Sequence, residues 1–148
     1  MKIAIGADHA GFEIKEKIKK QLADMNLEVT DLGAFSPDSV DYPDFGAAVG
    51  RLVASGEAAQ GIVVCGSGIG IALAANKIRG VRAAQAWNEE TARLARQHND
   101  ANVLSIGARV IAEEEIPKIV AAWLDAEFES GRHQKRIDKI SALEKERR

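Results

Sequence analysis

The chain contains one cysteine, three histidines and no long run of apolar residues. A single cysteine excludes a disulfide within the chain and a metal site built on several thiolates, and it favours a reducing, cytoplasmic location. The histidines are scattered without an H-x-x-x-H spacing, so the sequence predicts no metal site. No stretch is long enough to cross a bilayer, and the first residues read as a strand rather than as a signal peptide.

A strong net charge is also absent, because the 20 basic residues nearly balance the 22 acidic ones and leave a net charge of −2. Such a balance gives no general attraction to nucleic acid or to an anionic membrane, and we expect neither as a partner. The 148 residues, 46% of them hydrophobic, suffice for a domain with a substantial core. We therefore expect residues 1–148 to form a single domain.

Short apolar runs alternate with amphipathic segments along the chain, which predicts a parallel sheet with helices on both faces. Strands are expected at 2–5, 27–32 (an edge strand), 61–65, 81–86 and 102–106, and helices at about 11–24, 41–54, 71–78, 88–97 and 112–128. Asp41 and Asn88 are expected to cap the second and fourth helices. A charged helix over 133–148 completes a three-layer, Rossmann-like α/β fold with a five-stranded parallel sheet and a C-terminal helical extension.

The stretch 61–70, GIVVCGSGIG, joins the most apolar strand to a loop with almost no side chains. A dinucleotide fingerprint would need a third glycine at position 71, a P-loop would need Gly-Lys-Ser/Thr at its end, and a cysteine phosphatase would need an arginine at position 71. The residue at position 71 is Ile71, so the loop matches none of these three motifs. Because the dinucleotide fingerprint is missing, a hydride-transferring enzyme is also disfavoured. A loop of N–H donors remains, with the Cys65 thiol beside it.

Cys65 has two interpretations. A lone cysteine in a strand is commonly a small buried hydrophobe. Its position at the strand end, beside N–H donors and a helix N-terminus, favours a reactive thiolate instead. Ligands of parallel sheets bind beyond the carboxyl ends of the strands, where the strand order reverses. If strand one is central and adjoins strand three, Asp8 and His9 lie next to Cys65.

Other polar groups could complete such a site. Asp8 suits an acid–base role and equally a helix cap. His98 and Asn99 end the fourth helix, where a histidine often only interacts with the helix dipole. Arg132 and Arg136 lie four residues apart and could grip a phosphate, or they could form a solvated basic face. Arg109, just after the fifth strand, is a further candidate for the cation that the glycine loop lacks.

Six motifs in order resemble the type B ribose-5-phosphate isomerase family, which also holds allose- and galactose-6-phosphate isomerases. They are Gly6–Phe12, Asp41–Pro43, Cys65–Gly70, Ala75–Lys77, Arg96–Asp100 and Gly131–Arg136. The resemblance spans essentially the whole chain. It includes Cys65, at the position of the cysteine that marks one subtype of the family. Galactose-6-phosphate isomerase subunits generally lack this cysteine.

The resemblance implies an aldose–ketose isomerase without metal or cofactor. Its substrate is a sugar phosphate, and its sites lie at the interface of a homodimer or of a tetramer. By position, Cys65 is the base that moves a proton between C1 and C2, and His98 is the acid that opens the sugar ring. The loop binds the enediolate through Gly66, Ser67, Gly68, Ile69 and Gly70, with Asp8 near the hydroxyls and Tyr42 lining the site. The phosphate end comprises His9, Asn99, Arg109, Arg132 and Arg136.

Ribose 5-phosphate and ribulose 5-phosphate are therefore the expected substrate and product. The same chemistry on a hexose 6-phosphate such as allose 6-phosphate is the nearest alternative. A module that binds a sugar phosphate without catalysis is the alternative from another class.

Overall fold

A computed structural model describes residues 1–146. Its strands are β1 (Lys2–Ala7), β2 (Glu28–Asp31), β3 (Gln60–Cys65), β4 (Ala83–Gln85) and β5 (Val103–Gly107). Its helices are α1 (Phe12–Asp24), α2 (Tyr42–Ala54), α3 (Ile69–Asn76), α4 (Glu89–Asn99), α5 (Ile116–Asp125) and α6 (Gln134–Leu143). Short 3-10 turns occupy Glu113–Glu115, Gly131–His133 and Glu144–Glu146.

The five strands form one parallel sheet in the order β2-β1-β3-β5-β4, which confirms the predicted α/β class. The edge position of β2 and the pairing of β1 with β3 are also confirmed. The central strand is β3 and not β1, and β5 lies between β3 and β4. The chain runs from β1 outward to β2 and then crosses to β3, so the strand order reverses between β1 and β3.

Helices cover both faces of the sheet. One apolar cluster joins the sheet to α1, α4 and α5 through side chains such as Leu22, Ala92 and Trp123. The second cluster joins the other face to α2 and α3, with Val49 and Ile71 fully buried. Burying apolar surface on both faces explains why β3 has no polar–apolar alternation and is buried along its whole length.

Several predicted boundaries move. The helix α3 starts at Ile69 rather than Ile71, directly after Gly68, which has a φ of +77°. The helix α5 ends at Asp125 rather than near Phe128, since Ala126 adopts an extended conformation. The strand β4 is limited to three residues. The final predicted helix forms over Gln134–Leu143 with a 3-10 turn at each end, and its last two residues lie outside the described residues.

The two predicted helix caps differ. The side chain of Asn88 accepts a hydrogen bond from Thr91 N–H, and Thr91 completes a capping box, as expected for a cap. Asp41 occupies the cap position of α2, but its side chain makes no capping hydrogen bond. Pro43 is the second residue of that helix and has no N–H to donate, while Asp44 N–H already bonds to the Asp41 carbonyl at 3.3 Å.

Among residues 1–146, no helix combines the length and the apolar character that crossing a bilayer would require.

Candidate active site

Asp8 lies beside Cys65 at the carboxyl edge of the sheet. Its N–H donates to the carbonyl of Val64 at 3.2 Å, one residue before the cysteine. Its carboxylate accepts the N–H of Gly11 at 3.1 Å, so it shapes the turn into α1. The side chain is 6% exposed. The expected proximity of Asp8 and Cys65 is therefore confirmed, and the turn-forming contact uses only one carboxylate oxygen.

The Cys65 thiol is free and points into the glycine loop. Gly68 N–H donates to its sulfur at 3.2 Å, and the residue is 4% exposed. A hydrogen bond from a backbone N–H favours the anionic form of a thiol, which is the nucleophilic and basic form. A neutral thiol also accepts such a hydrogen bond, but more weakly than a thiolate does. The contact thus favours the reactive interpretation of Cys65.

The glycine loop turns sharply from β3 into α3. Gly68 adopts a φ of +77°, which a residue with a Cβ rarely tolerates. Gly70 contacts the ring of Tyr42 so closely that a Cβ added there would lie 2.5 Å from the Tyr42 Cζ atom. Tyr42 therefore lines the loop, as expected, and the first N–H groups of α3 face the same side of the sheet.

An open cleft of about 520 Å³ lies at the same end of the sheet, and its lining includes Asp8, His9 and Tyr42. Nδ1 of His9 is 3.2 Å from both the N–H and the carbonyl of Val40, so this loop fixes the ring orientation. Arg109 N–H donates to the Gly66 carbonyl at 2.9 Å. Its exposed side chain runs over the loop, within 3.4 Å of where a Cβ on Gly66 would be. The imidazole of His9 therefore lines this cleft, and the side chain of Arg109 lies over the glycine loop.

A second polar cluster contains His98, Glu129 and His133. The two imidazole rings stack with centroids 4.3 Å apart and planes 15° apart. Nε2 of His133 lies 3.5 Å from the Glu129 carboxylate, and Nε2 of His98 lies 4.0 Å from it. Burial lowers the pKa of His133, and the nearby His98 and Arg132 lower it further, against the opposing effect of Glu129.

Three ligand atoms of this second cluster lie within 4.8 Å of one another, a spacing within which a metal ion could be held. A bound ion lies in the plane of each imidazole that ligates it, and two nearly parallel planes do not meet at one ion. One ring would have to rotate before both could ligate the same metal. The arrangement is a stacked pair rather than a preformed metal site.

The predicted phosphate ligands Arg132 and Arg136 are both exposed and follow the second cluster in the chain. They flank His133 and Ile137, which are buried, so the arginines share the exposed side of this helical segment. Asn99 lies at the end of α4, on a separate cavity of about 360 Å³ between the β4 edge and α6.

The polar groups around Cys65 lie at the carboxyl ends of the strands, whereas the cluster of His98, Glu129 and His133 lies at the end of the sheet where the strands begin. The residues after His98 lead into the starts of the strands, where the Asn102 carbonyl accepts the Gly61 N–H at 2.9 Å. Cys65 is at the other end of β3, four residue steps or about 13 Å further along. The structure therefore brings together Asp8, His9, Tyr42, Cys65, Gly66, Ser67, Gly68, Ile69, Gly70 and Arg109. It places His98, Asn99, Arg132 and Arg136 at the opposite edge of the same chain.

Sequence reasoning missed Gln85 and Ser105, which contact the glycine loop. The Gln85 amide donates to the Ser67 carbonyl at 2.5 Å, and the Ser105 hydroxyl donates to the Gly68 carbonyl at 2.6 Å. A serine within the otherwise apolar run of β5 was a usable signal, since a buried hydroxyl needs a partner. The role of Glu129 has no comparable signal, because an acidic residue in a polar connection is common.

The fold and this site define a doubly wound α/β protein with a buried thiol beside a glycine loop at its topological switch point. Residues 3–140 match the model of the family described as Ribose/Galactose Isomerase. The chain belongs to this ribose/galactose isomerase family.

Individual relatives agree with that assignment. Ribose-5-phosphate isomerase B of Escherichia coli is 47% identical over 146 residues, covering 99% of this chain and 98% of the relative. The solved structure of ribose-5-phosphate isomerase B from Clostridium thermocellum is 49% identical, with a TM-score of 0.98 and 99% of both chains covered. The ribose-5-phosphate isomerase B of Mycoplasma genitalium, solved with bound ribulose 5-phosphate, is 46% identical, with a TM-score of 0.95. The match covers 98% of this chain and 97% of that chain.

Proposed function

We propose that this protein is an aldose–ketose isomerase that interconverts ribose 5-phosphate and ribulose 5-phosphate. The observation that carries the proposal is the Cys65 thiol, whose sulfur accepts a hydrogen bond from the Gly68 N–H at 3.2 Å. The chain that presents this thiol belongs to a family of sugar isomerases. The single domain works in the reducing cytoplasm, where its one thiol stays free. The three relatives described above are named ribose-5-phosphate isomerase B, which supports the five-carbon substrate.

Cys65 acts as the base in the proposed reaction. Once the sugar ring is open, the thiolate removes the C2 proton of the aldose, which leaves a cis-enediolate, and the thiol returns a proton to C1. The hydroxyl proton of O2 is lost as the ketone forms, and O1 gains one. The enediolate is the high-energy species, so donors placed where its charge develops lower the barrier. The N–H groups of the glycine loop and of the start of α3 are those donors, apart from the Gly68 N–H, which donates to Cys65.

His98 acts as the acid that assists ring opening, and the arginine pair holds the phosphate. Both lie about 13 Å or more from Cys65 along the sheet, which a pentose phosphate held by one chain cannot bridge. A second copy of the chain therefore supplies them. The apolar side chains of Ile69 and Leu73 are 55% and 61% exposed on α3 next to the loop, which suits burial against that copy.

A homodimer is the smallest assembly that completes two sites. Each site would combine the Cys65 edge of one chain, with His9 and Arg109, and the His98 edge of the other, with Asn99, Arg132 and Arg136. A tetramer built from two such dimers satisfies the same geometry. Holding the phosphate remote from the reacting carbons orients C1 and C2 against the thiol.

Cys65→Ala tests the assignment of the base. Conversion of ribose 5-phosphate to ribulose 5-phosphate should slow by about 100-fold or more, because general base catalysis contributes at least that much. Gln60→Met is a matched control, since it removes a buried hydrogen bond from the far end of the same strand. A folded Cys65→Ala variant with near wild-type turnover would refute the assignment.

The two alternatives give different results with the wild-type protein. A hexose-phosphate isomerase would show the higher kcat/KM with allose 6-phosphate rather than ribose 5-phosphate. A binding module would bind the sugar phosphate irrespective of Cys65 and would not exchange the C2 hydrogen with solvent deuterium. An isomerase that uses a protein base should show such exchange.

A further inference from the structure

Gly68 is held from both sides by side chains of the two neighbouring strands. Gln85 on β4 and Ser105 on β5 are register partners in the sheet. The Gln85 amide nitrogen donates to the Ser67 carbonyl at 2.5 Å, and the Ser105 hydroxyl donates to the Gly68 carbonyl at 2.6 Å. The two carbonyls belong to the two consecutive peptide units that meet at Gly68.

The contact of Gln85 bears directly on the thiol. The Ser67 carbonyl and the Gly68 N–H are parts of one planar peptide unit, and a trans peptide directs them to opposite sides. Gln85 holds one side, and the other side donates to the Cys65 sulfur at 3.2 Å. A hydrogen bond to the carbonyl also polarises the N–H of the same unit and strengthens its donation.

The contact of Ser105 fixes the second peptide unit. Ser105 is fully buried, so its hydroxyl would cost free energy there without an acceptor. Its hydrogen bond to the Gly68 carbonyl restrains the ψ angle of Gly68, as the Gln85 contact restrains φ. Together they retain the left-handed conformation of Gly68, with φ +77° and ψ −4°.

We propose that Gln85 and Ser105 are positioning residues that keep the Gly68 N–H directed at the Cys65 sulfur and so favour its thiolate. The inference rests on the proposed function of Cys65 as the base. It adds two residues from β4 and β5 that lie outside the glycine loop and act on the reaction only through the backbone of that loop.

The experiment compares Gln85→Met and Ser105→Ala with the wild-type protein. Thiolate is measured by its ultraviolet absorbance as a function of pH, as the difference from the same protein carrying Cys65→Ala. Because the chain has one cysteine, the signal reports that thiol alone. The thiolate-to-thiol ratio at fixed pH should fall about 3- to 10-fold in each variant, the usual effect of weakening one hydrogen bond. Turnover should fall similarly, with KM for ribose 5-phosphate within about 2-fold.

Gln60→Met is the control for a general loss of stability. Gln60 is buried, accepts the Trp123 N–H at 2.8 Å, and lies at the opposite end of β3 from the loop. It should leave the thiolate ratio and kcat unchanged. Unchanged thiolate ratios in both folded variants, or an equal fall in Gln60→Met, would overturn the proposal. If Ser105→Ala does not fold, Gln85→Met decides alone, since Gln85 is only partly buried.

This design separates the two hypotheses. Thiolate absorbance does not depend on turnover, so a wild-type protein that fails to isomerise would contradict the proposed function and leave the positioning result intact. A wild-type isomerase whose variants keep the wild-type thiolate ratio would contradict only the positioning of Gly68.

Discussion

His98 and His133 stack ring on ring, although 35 positions separate them in the chain, with centroids 4.3 Å apart. His133 is buried beneath the exposed edge of His98, at 5% exposure. His133 thus places a flat ring against His98, the residue proposed to open the sugar ring. Protonation of His133 would put a buried positive charge within the stack and close to Arg132, and the pKa of His133 is lowered accordingly.

Native stability should therefore decrease on acidification. Burial, His98 and Arg132 lower the pKa of His133, so the unfolded chain takes up this proton near the ordinary histidine value of about 6.5, before the folded chain does. Between these two values the unfolded state binds more protons, and the free energy of unfolding falls as the pH falls. The contribution is complete above about pH 6.5 and is lost below it. Urea unfolding across pH 5–8 at fixed protein concentration should show a shallower decline for His133→Gln; equal slopes would contradict this.

Two inactive variants should restore each other if the site combines two chains. Cys65→Ala and His98→Asn impair opposite edges, so a mixed dimer carries one site with both changes and one with neither. Refolding an equal mixture makes about half of the dimers mixed, and activity should return to about a quarter of the wild-type value. The control mixes Cys65→Ala with an inactive variant changed within the loop over Gly66–Gly70. Both changes then affect the same part of the site, so this mixture should regain no activity. Failure of the first mixture would show that one chain holds the entire site.

Gly70 should tolerate a side chain only if Tyr42 is shortened. A Cβ at position 70 would lie 2.5–2.9 Å from three atoms of the Tyr42 phenol group, closer than atoms pack. Gly70→Ala should lower the free energy of unfolding by about 1–3 kcal/mol and reduce kcat/KM by displacing the ring from the cleft. In a Tyr42→Ala background the added cost should largely vanish, which a double-mutant cycle of urea unfolding measures. Additive costs would show that the ring moves aside freely.

Asp31 should be essential for stability, because it pairs with a lysine that has no exposed side-chain surface. Both carboxylate oxygens lie 2.8 Å from Nζ of Lys15. Burial raises the pKa of Asp31, but Lys15 and Lys19 outweigh it and hold the pKa below its ordinary value. Asp31→Asn should cost about 3–5 kcal/mol, since it leaves the buried ammonium group of Lys15 with only the partly exposed carboxylate of Glu16 as a charged partner. Glu16→Gln, which removes a more exposed partner of the same lysine, should cost about 0–1 kcal/mol in the same unfolding assay.

The strand–helix alternation and the meeting of Asp8 with Cys65 could be predicted, because both follow from local patterns and from the rule that parallel strands end at one edge. The insertion of β5 between β3 and β4 could not, since three residues of β4 carry little information about their neighbour. The capping failure of Asp41 was also unpredicted, although Pro43 is visible in the sequence.

The sequence could nominate the candidate residues but not their division within the fold. His98 and Arg132 were grouped with Cys65 as candidates for one site, whereas the fold places them at the end of the sheet opposite Cys65. Motif resemblance carries the identities of site residues and is silent on which chain supplies them. The stacking of His98 on His133 depends on how α4 meets the turn before α6, which no local pattern encodes.

The burial of β3 has a consequence for how this protein can change. All six of its residues are buried, and both of its edges are paired, so the strand that carries the Cys65 sulfur has no exposed position and tolerates only changes that keep its apolar volume. Adaptation to sugars of another length is therefore easier in the loop over 36–41 and in the segment after β5, whose side chains reach solvent. Directed evolution of specificity should concentrate its library there and leave the strand untouched.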